Sequence, residues 1–159
     1  MSEQSFPLGR DFGIWACVNE ALQGYANALD RGDIDLLLTH FDEQARWLYS
    51  PDAAHNGHAE IRAFFDERLS VFARTSHHVG PPVVRMTGDE KLVASTAYFI
   101  AEHLLEDGSR YRVHGRYVDQ LRLAGERALI CQRSVLAHVT EGTSRAYRML
   151  ERKARHDAR

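Results

Sequence analysis

Residues 92–123 read LVASTAYFIAEHLLEDGSRYRVHGRYVDQLRL, and the fold turns on them. Leu92 to Leu105 is rich in aliphatic, β-branched and aromatic residues. The turn-forming EDGS follows, and Tyr111 to Leu123 is a second strand-like run. Two long strands joined by so short a turn run antiparallel, because a parallel return needs a crossover of about a dozen residues or more. The pattern extends in both directions. Val83-Val84-Arg85-Met86 predicts a strand ahead of the turn TGDEK, and Ala124-Gly125-Glu126 turns the chain into a last strand, Ala128 to Val139. The second half of the chain is therefore an antiparallel meander.

The first half has a different period. Ile14, Val18, Leu22, Tyr25 and Leu29 recur at helical spacing. Gly32 stops that helix and Asp33 can cap the next, whose apolar face is Ile34, Leu37, Leu38 and Phe41. Ala45 to Ser50 predicts a strand, stopped by Pro51 and the polar stretch DAAHNG. A third helix presents Ile61, Phe64, Phe65, Leu69 and Phe72 on one side, and a strand opens at His77-His78. Helices segregated from an antiparallel sheet define an α+β domain. The expected architecture is a curved, mostly antiparallel sheet whose concave side is closed by three N-terminal helices, leaving a cone-shaped pocket (a cystatin-like α+β roll). Residues 12–140 form the domain, with 1–11 as an N-terminal tail and 141–159 as a basic C-terminal helix or tail.

Composition narrows the function classes. The 159 residues are 44% hydrophobic and 26% charged, as in a soluble globular domain. Twenty Lys and Arg against 22 Asp and Glu leave a net charge of −2, so no bulk field points to a nucleic-acid partner. No apolar run approaches the roughly 20 residues of a membrane span, and MSEQSFPLGRD lacks the apolar core of a signal peptide. Cys17 and Cys131 sit in apolar segments at no metal-ligand spacing, which favours buried thiols in a reducing cytoplasm. The long strands carry too few alternating polar residues to leave both faces solvated, so self-association as a homodimer or homotrimer is expected.

Polar residues fall where a water-excluding pocket belongs: Tyr25 and Asp30 at the end of the first helix, Tyr49 at the end of the first strand, and the pair His77-His78. A carboxylate, an imidazole and phenols around an apolar cavity are the parts of a metal-free proton-transfer site. Each has an ordinary explanation when taken alone. Tyr25 fits a core aromatic, Asp30 a helix-end residue and Tyr49 a strand core residue. Adjacent strand residues point to opposite faces, so one of His77 and His78 looks inward. An Asp beside that imidazole would fix its tautomer and stabilise its charged form. Trp47, His103, His114 and Arg116 are candidate substrate-binding residues on the strands. There are nine histidines but no HxH, HExxH or facial-triad spacing, so no metal is expected. No serine elbow, P-loop or dinucleotide glycine pattern implies another cofactor.

The segments YANALDRGDIDLLLTHF, GHAEIRAFF, TSHHVGPPVVRMTGDEKLVAS and RYRVHGRYVDQLRL resemble the SnoaL-like branch of the nuclear transport factor 2-like superfamily, which includes scytalone dehydratase, bile-acid 7α-dehydratase and lindane dehydrochlorinase. The resemblance implies a catalytic Asp at Asp30, a Tyr five residues before it at Tyr25, a pocket tyrosine at Tyr49 and a catalytic His at His77 or His78. The T-x-H register favours His77. It further implies a cofactor-independent dehydratase or isomerase acting on a small hydrophobic, polycyclic or steroid-like carbonyl or hydroxyl compound. The same superfamily holds two alternatives, a non-catalytic hydrophobic-ligand-binding module and a structural protein like the dioxygenase β subunits.

Overall fold

The computed structural model describes residues 8–50 and 53–142, which run α1 (Leu8–Asp30), α2 (Ile34–Leu38), β1 (Phe41–Ser50), β2 (Ala53–Asn56), α3 (Gly57–Leu69), β3 (Phe72–Val79), β4 (Val83–Met86), β5 (Leu92–Leu105), β6 (Arg110–Ala124) and β7 (Arg127–Glu141). One seven-stranded sheet has the order β2-β1-β7-β6-β5-β3, with β4 also pairing β5. All pairings are antiparallel except that of β1 with β7. The long β5 serves two short partners in succession: its residues 99–105 face β3 and its residues 93–96 face β4. Between those partners lies Gly80-Pro81-Pro82, where two prolines lack the N–H a ladder needs. The α+β cone expected from the sequence is the fold observed.

Helix α1 lays Val18, Ala21, Leu22, Tyr25, Ala26, Ala28 and Leu29 into the core, against β3 and β7. It begins at Leu8, ahead of the boundary expected at residue 12. Its C-terminus closes in a Schellman motif. The amide of Asp33 donates to Ala28 O (3.0 Å) and that of Gly32 to Leu29 O (3.0 Å), with Gly32 at φ 65°. Asp33 then caps α2 by accepting from the Leu36 amide at 2.9 Å. This tight corner places Asp30 in the last turn of α1, beside β3.

Three local expectations give way to pairing. Phe41 opens β1 instead of ending a helix, because α2 stops at Leu38. Ala53–Asn56, within the polar stretch expected only to stop the first strand, is a strand held by the β1 ladder, with Arg46 opposite Asn56 and Trp47 opposite His55. Phe72 belongs to β3 and not to the third helix, and pairs with Leu105. In each case a cross-strand partner overrides local propensity. The basic segment expected beyond residue 141 lies, from residue 143 on, outside the described residues, as do residues 1–7.

The concave face carries odd-numbered residues of β5 and β6, including Val93, Phe99, Tyr111, Val113, Tyr117 and Leu121. Strand β7 follows the same face only because of two register shifts, which leave Cys131 and His138 unpaired in the ladder. Gly115 admits the second of these: a Cβ there would stand 2.4 Å from Leu136 O and 2.8 Å from the Phe99 ring. The first shift turns Arg133 inward, where it is fully buried. Its Nε and Nη2 donate to the two oxygens of buried Asp119 at 2.9 and 2.7 Å. The guanidinium sits over the rings of Tyr25 (4.3 Å) and Tyr117 (4.2 Å). Cys17 and Cys131 are half-buried free thiols. No helix among the described residues is long and apolar enough to cross a membrane.

Removing one member of a buried ion pair strands the other charge. Arg133→Met or Asp119→Leu alone should therefore cost about 3–5 kcal/mol. The double variant should cost less than either single change, because no charge is then left unpaired, and urea denaturation of the three proteins measures this.

Candidate active site

An acid in the last turn of a helix faces the negative end of the helix dipole, and α1 has no basic residue there to offset it. Asp30 is instead met by β3. Its Oδ1 accepts from His77 Nδ1 at 2.6 Å and from Thr75 Oγ1 at 2.9 Å, while its Oδ2 accepts from the His77 backbone amide at 2.7 Å. Burial works to raise the Asp30 carboxyl, but the side-chain and backbone hydrogen bonds from His77 and that from Thr75 outweigh it and hold it below its usual range. A carboxylate only accepts, so Nδ1 of His77 carries hydrogen and Nε2 is the basic nitrogen of the neutral ring.

His77, 6% exposed in its side chain, lines a cavity of about 210 Å³. Leu29, Phe64, Phe65, Leu69, Phe72 and Phe99 supply apolar walls. Tyr25, Trp47 and Tyr117 close its deep end, with the Arg133 guanidinium behind the two tyrosines. Burial, the largest influence, pushes the Tyr25 hydroxyl well up; nearby Tyr117 adds to this and Arg133 opposes it, so Tyr25 stays a neutral donor. Tyr117 is likewise raised by burial. Trp47 Nε1 is buried without a protein partner, a donor held beside apolar space.

His103 also lines the cavity, its ring edge-on to that of His77 with centroids 5.5 Å apart. Its Nδ1 stands 3.2 Å from Tyr111 O and must donate to that carbonyl, leaving Nε2 as an acceptor. Burial first, then the neighbouring His77, lowers His103 to about 4. It is therefore a neutral imidazole at physiological pH. Among the described residues, no three His, Cys, Asp or Glu side chains converge in a metal-binding group.

The family model for the SnoaL-like domain matches residues 15–134. The chain belongs to the SnoaL-like domain family. A Novosphingobium aromaticivorans protein named "Putative Scytalone Dehydratase" superposes with TM-score 0.80 at 16% identity, covering 87% of this chain and 93% of its own. A protein of the same organism named "Putative aromatic ring hydroxylase" gives 0.76 at 24% identity, with 87% and 96% covered. A hexachlorocyclohexane dehydrochlorinase from Novosphingobium barchaimii gives 0.74 at 7% identity, with 85% and 93% covered. At such identities these likenesses establish the shared fold. No curated protein matches the sequence.

Within this SnoaL-like fold, Asp30, His77, Tyr25, Tyr49, Trp47 and His103 gather at one cavity, Asp30 through its bond to His77. Tyr49 is half-buried there, its ring against Phe64. Three candidates lie elsewhere. His78 is exposed on the other side of β3, its Nε2 3.3 Å from Ser76 Oγ. His114 and Arg116 fall between the inward residues Val113, Gly115 and Tyr117, so strand alternation turns both to the convex face; Arg116 lies over the exposed Tyr98 ring there. Their expected place in the pocket is corrected accordingly. The sequence reading missed Thr75, Tyr117, Arg68 and the Arg133–Asp119 pair. Thr75 was legible as the residue two before His77 on the same face; Arg133 was not, because an unbroken count along β7 from the inward Ile130 turns it outward.

An NMR titration should find His103 half-protonated near pH 4 and neutral at pH 7. Its folded value lies below the unfolded value of about 6.5, so its contribution lowers stability progressively as pH falls from about 6.5 through about 4. His103→Gln should flatten that part of the stability profile.

Proposed function

We propose that this SnoaL-like protein is a cofactor-independent dehydratase or isomerase acting on a small hydrophobic compound that carries a carbonyl or hydroxyl group. The observation that supports it most is the 2.6 Å bond from His77 Nδ1 to Asp30, which leaves the basic Nε2 to a pocket-lining ring. His77 takes a proton from the carbon beside the substrate carbonyl. The imidazolium formed keeps its Nδ1–H on the Asp30 carboxylate, which stabilises it. Negative charge developing on the substrate oxygen is met by the Trp47 N–H, with the phenols of Tyr25, hydrogen-bonded to Tyr117, and Tyr49 at the same cavity. In a dehydration the C–O electron pair departs with the hydroxyl as the double bond forms, and the proton held by His77 completes water. In an isomerisation that proton returns to another carbon. Neutral His103 accepts a hydrogen bond from the substrate hydroxyl.

The cavity, about 210 Å³, is below the roughly 300–1,000 Å³ of pockets for drug-sized ligands, which favours one or two rings over a steroid skeleton. A sheltering module or a structural subunit has no use for an Asp-oriented imidazole beside a buried, unpartnered indole N–H. Chelation should leave turnover unchanged. His77→Ala and Asp30→Asn should each lower kcat by about 10²-fold or more, with a double variant no worse than the lower single, as for residues acting as a unit. Steady-state kinetics on folded variants checks this, and full activity in both singles would overturn the mechanism.

The proposal includes self-association. Tyr98, Ile100, Val118, Leu136 and Val139 are exposed on the convex face. They are interleaved there with polar residues: Tyr98 and Leu136 flank Arg116, and Ile100 and Val139 flank His114. A second copy is the occupant that would bury these apolar side chains in a homodimer or homotrimer. Light scattering at micromolar concentration should give a multiple of the 18.1 kDa chain mass, and Leu136→Arg should shift it to the monomer.

A further inference from the structure

Asp30 has to keep its place against water. Its side chain is 27% exposed, so solvent competes for the carboxylate that must face the His77 ring. The donors that resist this differ in kind. The His77 backbone amide, 2.7 Å from Oδ2, is set by the main chain. On Oδ1, His77 Nδ1 at 2.6 Å belongs to the group that changes charge when a proton is taken. The Thr75 hydroxyl, 2.9 Å from the same Oδ1, is a side-chain donor that stays neutral throughout. A carboxylate only accepts, so the single hydroxyl hydrogen of Thr75 is committed to it. Thr75 and His77 lie two apart on β3 and present the same face to the end of α1. Thr75 also stands in a shared wall. With His103 and Tyr111 it lines both the catalytic cavity and a second cleft of about 490 Å³, whose other residues include Arg74, Glu102 and Arg112. The wall is apolar on one side and charged on the other.

We propose that Thr75 is the positioning residue of the proton-transfer pair: its hydroxyl pins the Asp30 carboxylate in the orientation that His77 needs. The inference rests on the proton-transfer reading of the same pocket and adds a residue to it. Rotating the carboxylate breaks all three bonds at once, so the contact between Nδ1 and Oδ1 outlasts the change of charge on the ring. The Thr75 bond also favours the carboxylate anion. The proton that His77 takes therefore stays on the imidazole and does not pass to Asp30.

Thr75→Val, close in shape but without the hydroxyl, tests this on the full chain. Carbon NMR of the side-chain carboxyls should find Asp30 titrating higher in Thr75→Val than in the wild type, because a bond that favours the anion is gone. Thr75→Ser should return the titration to its wild-type position. Thr75→Ala, a second variant without the hydroxyl, should match Thr75→Val and decides the matter if the valine protein does not fold. Turnover is read with 5-nitrobenzisoxazole, a two-ring compound. A base removes its carbon-bound proton as the N–O bond breaks, and the oxygen leaves as a coloured cyanophenolate. There kcat should fall about tenfold without the hydroxyl while KM stays level, the loss expected for one hydrogen bond to a charged group, and serine should restore it. An Asp30 titration unmoved by loss of the hydroxyl, or a serine variant that behaves like alanine, would overturn the assignment. The two readings fail separately. A raised Asp30 titration with turnover indifferent to His77→Ala upholds the grip of Thr75 on Asp30 and sinks the proton-transfer mechanism. His77-dependent turnover with full activity in Thr75→Val does the reverse.

Discussion

The carboxylate of Asp30 stands at the unfavourable end of a helix, and the three hydrogen bonds that satisfy it all come from one edge strand. That exchange joins the two halves of the molecule. Helix α1 is the longest apolar surface packed on the sheet, and β3 is reached only after α2, β1, β2 and α3 have been threaded. A Schellman corner at Gly32 fixes where α1 stops, and the register of His77 with Ala101 fixes where β3 lies. Both must hold to within a fraction of an ångström for Nδ1 to meet Oδ1. The same contact sets the tautomer of His77, so the interaction that ties helix to sheet also makes Nε2 basic.

Deeper in the cone a second charge is handled in the opposite way. Arg133 is taken out of water entirely, neutralised by Asp119 and covered by two tyrosine rings. Replacing such a pair with hydrophobic residues is often neutral for stability, so its presence needs another reason. It holds Tyr25 and Tyr117 in fixed positions at the deep end, while burial keeps both phenols neutral against the opposing pull of the guanidinium. The pocket is thus lined by apolar walls and neutral donors and acceptors, which suits the proposed reaction, in which negative charge develops on a bound oxygen.

Most of the fold was legible because it rests on periodicity and turns. The meander follows from two strand-like runs separated by EDGS, and α1 from one apolar face ending at Gly32. What was illegible locally was decided by partners. Ala53–Asn56 has little strand propensity and becomes β2 because β1 offers it a ladder; Phe41 and Phe72 pass from helical faces to strands for the same reason. In the site, Asp30 and Tyr25 could be named from their place near the end of the first helix, and His77 from the T-x-H register of the family that the chain resembles. His114 and Arg116 could not be placed, since residue type says nothing about which side of a strand is concave.

By itself, then, the amino-acid sequence determined the class of the domain, the order of its elements and the presence of an acid and a histidine near one corner, because these depend on local spacing. The inward turn of Arg133 and the outward turn of His114 and Arg116 belong to the tertiary structure. A ladder register shift at Cys131 reverses the alternation of β7, whereas β6 runs through without one. The side chain of a strand residue alternates with a period of two, so one unpaired residue exchanges wall for surface along everything that follows, and only the pairing of the strands reveals where it sits.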